Sequence, residues 1–179
     1  MNRRTLVFGM GAAASAGGLW ACVRRGDRAA LSSEQQELLA RVSDLTIPAS
    51  DTPGAMETQT PEFVALALAH GVGGHEPALV DRLAGELEQA GGGRFTRLDA
   101  AAQASALQKL DEAAFAQNAA TGEAWRAIKS LIATGYYTSE AGASRELQYE
   151  LVPGRFDPDV PLTADARAFS SDWTSVDFG

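Results

Sequence analysis

Apolar residues in this chain recur three and four positions apart, and prolines and glycines cut the resulting stretches at their ends. That spacing lines up one face of an α-helix. No run of useful length alternates apolar with polar residues, as a half-buried strand requires, and no stretch repeats another. The pattern restricts the chain to an all-α fold: an irregular bundle of about five or six helices with an irregular C-terminal tail.

The first helix is expected to open on a Ser33–Gln36 capping box, in which the serine hydroxyl takes a free amide and the glutamine reaches back. It runs through Leu38, Leu39, Val42 and Leu45 and stops near Ile47, because Pro48 disfavours helical backbone at its predecessor. Residues 48–60 (PASDTPGAMETQT) read as a loop. Thr60 as N-cap, with Pro61 behind it, opens a second helix through Phe63, Val64, Leu66, Leu68 and Ala69. Glu76-Pro77 opens a third, carrying Leu79, Val80, Leu83 and Leu87, and Gly91-Gly92-Gly93 ends it. Asp99 caps a fourth through Ala104, Leu107, Leu110 and Phe115. Thr121 caps a fifth that turns Trp125, Ile128, Leu131 and Ile132 inward and ends at Tyr136, Tyr137 and Thr138. Ser139 starts a short helical turn toward Leu147. From Tyr149 the periodicity fails among Pro153, Gly154, Pro158, Pro161 and many aspartates. This tail either wraps the helices or orders on a partner. Trp125 and Phe115 lie on helical stripes and read as core, whereas the tail aromatics Phe156, Phe169 and Trp173 suit a partner's interface as well as their own core.

The N-terminal segment MNRRTLVFGMGAAASAGGLWAC has its own logic. Arg3 and Arg4 precede an uncharged stretch of about 16 residues from Leu6 to Ala21, short of the ~20 that span hydrocarbon. Rich in Gly and Ala, it reads as an export signal, and the adjacent arginines resemble the twin-arginine address. An ordinary secretory signal is the alternative. Leu19-Trp20-Ala21-Cys22 resembles a lipoprotein box whose cysteine is acylated; cleavage after small residues is its rival. The expected organisation is a signal peptide over 1–22, a tether over 23–32, a helical domain over 33–150 and the tail over 151–179.

Composition narrows the function. With 179 residues, 45% of them hydrophobic, the chain can bury a core without a metal or disulfide staple. Its formal charge of −8 argues against nucleic acid or an anionic membrane surface as the main partner. Removal of Arg3 and Arg4 with the leader leaves 13 basic against 23 acidic residues, a charge of −10. Cys22 is the only cysteine, so no intrachain disulfide, cysteine-rich zinc site, iron–sulfur cluster or CxxCH haem site is available. His70 and His75 stand five apart across glycines, and neither has a nucleophile motif beside it. Surface or capping histidines are the better reading. Glu86/Glu88 and Asp111/Glu112 are spaced too closely to face each other on a helix and read as solvated surface.

Two motifs point further. The first helix ends in Leu45-Thr46-Ile47-Pro48 and continues Ala49-Ser50-Asp51-Thr52-Pro53-Gly54-Ala55. Ile132 leads into Gly135-Tyr136-Tyr137-Thr138-Ser139, and a late Tyr149-Glu150-Leu151-Val152-Pro153-Gly154 follows. In order and spacing these resemble the gluconate 2-dehydrogenase subunit 3 family, over about residues 33–160. The resemblance implies the small, non-catalytic subunit of a membrane-associated, periplasm-facing sugar or sugar-acid dehydrogenase. The large subunit, of the glucose-methanol-choline flavoprotein type, would carry FAD, and a multihaem cytochrome c subunit often takes the electrons. The implied role is co-export through the twin-arginine translocase, with no cofactor and no catalytic residue in this chain. The place implied is the periplasm or envelope. Asp51, Pro53, Gly54, Tyr136, Tyr137, Phe156 and Trp173 are the candidate interface residues. A free-standing envelope lipoprotein or binding module with an acidic helical surface is the alternative, and an enzyme built on His70 or His75 is a third reading.

Overall fold

The computed structural model describes residues 31–117, 119–150, 154–155 and 158–170. Arg3, Arg4, Cys22, Phe156 and Trp173 lie outside the described residues. Among the described residues five α-helices follow one another: α1 Ser33–Thr46, α2 Thr60–Ala69, α3 Leu79–Gly91, α4 Ala100–Ala114 and α5 Glu123–Tyr137. Short 3-10 turns at Val72–Gly74 and Phe95–Arg97 link α2 to α3 and α3 to α4. A π-helical turn, Gly142–Glu146, follows α5. The all-α expectation therefore stands. One short addition is a parallel pair of two-residue strands, β1 (Gln148–Tyr149) and β2 (Phe169–Ser170). Two residues per strand give no alternation to detect from sequence.

The central helices are α3 and α5, which pack on each other; α1 and α4 also lie on α3, and α2 and α4 on α5. Leu79, Val80, Leu83 and Leu87 form the buried stripe of α3, and Trp125, Ile128, Leu131, Ile132 and Tyr136 that of α5. Leu38, Leu39 and Val42 close the core from α1, and Val64 and Leu68 from α2. Full burial of side chains of this size contributes roughly 1.5–3 kcal/mol each before conformational entropy is set against it.

Several helix starts differ from expectation. The α1 capping box is Ser32–Gln35, not Ser33–Gln36: Gln35 N–H donates to Ser32 Oγ at 3.2 Å and Ser32 N–H to Gln35 Oε1 at 2.9 Å. Both spacings exist in the sequence, and the structure uses the earlier one. Gln36 instead donates to the Leu31 carbonyl. Thr60 is the first residue of α2, buried, and the N-cap is Gln59 in left-handed backbone at φ 55°. Asp99 caps α4 as expected, accepting from Ala102 N–H at 2.8 Å.

The start of α5 is capped from another helix. Gly122 holds the N-cap position without a side chain, and Thr121 does not cap. Instead the Glu86 carboxylate on α3 accepts from Ala124 N–H at 3.1 Å and Trp125 N–H at 2.9 Å. It thereby satisfies two free donors and places negative charge at the positive end of the helix. Asp111 is likewise a partner and not plain surface: it accepts from Trp125 Nε1 at 2.7 Å and Lys129 Nζ at 2.6 Å. Burial alone raises the Asp111 pKa, but the bonds from Lys129 and Trp125 and the lysine charge outweigh it and hold the carboxyl below its ordinary value. Phe115 corrects another expectation. At the C-cap of α4 it is 58% exposed, with the Lys129 ammonium 4.7 Å from its ring centroid.

Candidate functional site

The loop between α1 and α2 folds onto the C-terminal end of α5. Pro48 ends helical backbone, yet Ala55 N–H reaches back to the Ile47 carbonyl at 2.8 Å, so the loop closes on the helix it leaves. Gly54 sits inside that closure. A Cβ there would lie 2.5 Å from Ala49 N, 2.8 Å from the Pro48 carbonyl carbon and 2.9 Å from Ile47 O. All three are backbone atoms, so no side-chain rotation relieves the clash; glycine is required by close approach. The loop continues with Gly54 N–H donating to Glu57 Oε2 at 3.0 Å and the Thr58 hydroxyl to the Gly54 carbonyl at 3.1 Å.

Two long-range bonds fasten this loop. The Tyr136 hydroxyl, on a side chain 2% exposed, donates to the Pro53 carbonyl at 2.8 Å. Thr52 Oγ1 donates to Glu146 Oε2 in the π-helical turn at 2.6 Å. The turn itself hangs from the end of α5 through Ser139, whose hydroxyl donates to the Tyr136 carbonyl at 2.6 Å and accepts from Gly142 N–H at 3.1 Å. Beneath, α5 approaches α2 so closely at Gly135 that a Cβ would meet Phe63 Cδ1 at 2.5 Å. The two sequence motifs are thus halves of one joint.

The candidate residues divide within it. Gly54 and Tyr136 are buried and serve the chain's own packing, and Pro53 contributes its carbonyl to Tyr136. Asp51 is exposed, with its carboxylate accepting from the Ser50 hydroxyl at 3.0 Å. Tyr137 is 43% exposed and set edge-on to Tyr136, centroids 5.1 Å apart. Of the described residues in the set, Asp51 and Tyr137 present surface. Beside them runs a shallow groove whose lining includes Pro53, Glu57, Gln59, Ser139 and Arg145. Gln59 on its rim is the only non-glycine residue with positive φ among the described residues. Sequence reading missed both Gln59 and Glu146; an unusual backbone angle and a partner 94 positions away leave no local signal.

His70 is the exposed C-cap of α2, and His75 is half-buried at the end of the Val72–Gly74 turn. Among the described residues no group of three or more His, Cys, Asp or Glu side chains is placed to hold a metal ion, and no helix is long and apolar enough to cross a membrane.

Residues 33–154, which contain the whole joint, match the model of one protein family, described as gluconate 2-dehydrogenase subunit 3. No curated protein and no solved structure matches the chain.

Proposed function

The chain belongs to the gluconate 2-dehydrogenase subunit 3 family, and from that premise we propose that it is the non-catalytic small subunit of an exported, FAD-dependent sugar or sugar-acid dehydrogenase. Its role is to carry, assemble and stabilise the large flavoprotein subunit. The observation that carries this reading is the family match over residues 33–154. The leader adds the address: Arg3 and Arg4 ahead of a weakly hydrophobic stretch suit the twin-arginine route. That route supports co-export, because a flavoprotein loaded with FAD in the cytoplasm has to cross folded. The flavin belongs to the large subunit, and haem c to a third, cytochrome subunit. In the periplasm or envelope, Cys22 provides an anchoring point if acylated.

The small subunit's own task is to offer a stable surface. The joint between the loop over 48–59 and the end of α5 suits that task, since backbone contacts at Gly54 and the Tyr136–Pro53 bond fix the loop that bears Asp51. The test is affinity purification of the C-terminally tagged chain from its native envelope in gentle detergent, with an absorption spectrum. A yellow complex containing a large flavoprotein is expected; a colourless chain recovered alone overturns the reading.

A further inference from the structure

We infer that residues 158–170 form a fixed arm that docks on the large subunit through Val160 and Leu162; this rests on the function proposed above. Every side chain from Pro158 to Phe169 is exposed. The backbone is nonetheless held at its C-terminal end. Gln148 N–H donates to the Ala168 carbonyl and Glu150 N–H to the Ser170 carbonyl, both at 2.8 Å, pairing β1 with β2. The Arg167 guanidinium donates to the Arg145 carbonyl at 2.7 Å and to the Ser144 carbonyl at 3.3 Å. Ala166 N–H closes a turn onto the Thr163 carbonyl at 3.1 Å. Pro158 and Pro161 each fix a φ angle and so remove freedom from the free segment.

Ordering a segment is ordinarily offset by burying its apolar side chains. This arm buries none of its own: Leu162 is 91% exposed, Val160 57% and Phe169 55%. A two-stranded pair alone is marginal in water, so the apolar side chains suit burial against a partner. A preformed arm also loses less entropy on docking than a loose one.

Charge selects the occupant. From residue 148 to the end the sequence has six acidic residues against two arginines, and Asp159 and Asp165 bracket the apolar pair. A second copy of this chain, at −8, repels itself, as does an anionic lipid surface. The arm fits a protein surface with an apolar patch rimmed by Lys or Arg, and we assign that surface to the large subunit.

The test compares the tagged full chain with its Val160→Asp/Leu162→Asp and Leu162→Met variants, each captured from cells that make the large subunit. The double variant should retain about tenfold less flavoprotein per chain, or lower still, because two apolar anchors are replaced by charge. Leu162→Met should retain it. All three should share one thermal midpoint, since these side chains touch no core; a lowered midpoint would place them in the chain's own fold and overturn the inference. Equal capture by the double variant and the wild type overturns the arm but leaves the proposed function standing. A wild-type chain that captures no flavoprotein overturns both. A wild-type dimer that the double variant dissociates would assign the arm to a second copy and overturn the inference.

Discussion

Replacing Gly54 with alanine adds one methyl group at the point where the loop over 48–59 crosses its own backbone. The new Cβ would stand 2.5 Å from Ala49 N, against an ordinary contact of about 3.4 Å or more. The loop must therefore open by most of an ångström. Two bonds sit within reach of that movement: Ala55 N–H to the Ile47 carbonyl at 2.8 Å, and the Tyr136 hydroxyl to the Pro53 carbonyl at 2.8 Å. Losing the first costs about 1 kcal/mol, and leaving the buried tyrosine hydroxyl unpaired costs about 1–3 kcal/mol. Gly54→Ala should thus destabilise the chain by about 2–4 kcal/mol, lowering the thermal midpoint by roughly 5–12 °C for a domain of this size. Urea unfolding followed by circular dichroism measures it. A double-mutant cycle with Tyr136→Phe should show coupling of about 1 kcal/mol, because opening the loop already removes the tyrosine's partner. A Gly54→Ala protein within about 0.5 kcal/mol of wild type, the usual range for an uninvolved surface site, would refute the reasoning.

Three further predictions follow from single residues. Gln59→Gly should stabilise by about 0.5–1 kcal/mol in thermal unfolding, because Gln59 holds φ 55°, a left-handed angle that glycine adopts at little steric cost. Glu86→Ala should cost about 2 kcal/mol, measured by urea unfolding, since it strips Ala124 and Trp125 of their shared amide acceptor. Asp111 titrates below its ordinary value of 3.8 in the folded chain. Its stabilisation is therefore complete above that value and is lost as pH falls toward the folded one. Asp111→Asn should be less stable than wild type at neutral pH, with the gap closing below about pH 4 in a pH series of thermal midpoints.

The sequence exposed what is local. The stripes of α3 and α5 follow from apolar spacing alone, and Pro48, Asp99 and the glycines after Glu88 mark ends that the structure keeps. What it hid depends on distant partners. Thr121 reads as the cap of α5 because the acceptor its amides use, Glu86, lies 38 positions away. Glu86 and Asp111 pass for solvated surface because a helical period does not tell which carboxylate a neighbouring helix will meet. Phe115 sits on an apolar stripe, but α4 ends beneath it and leaves its ring to Lys129. In the candidate site, both motifs are visible as residues, but only the fold shows that Tyr136 spends its hydroxyl on Pro53. That fact moves Gly54 and Tyr136 from surface to support and leaves Asp51 and Tyr137 facing outward.

The central claim is that this chain carries the export address for a flavoprotein partner. The most direct measurement replaces Arg3 and Arg4 by lysine, fractionates the cells, and locates both this chain and the large subunit by immunoblot, with the flavin read by fluorescence. The account predicts that both proteins stay in the cytoplasm, with the flavin bound to the large subunit. A flavoprotein that reaches the periplasm at its normal level in that variant would contradict it.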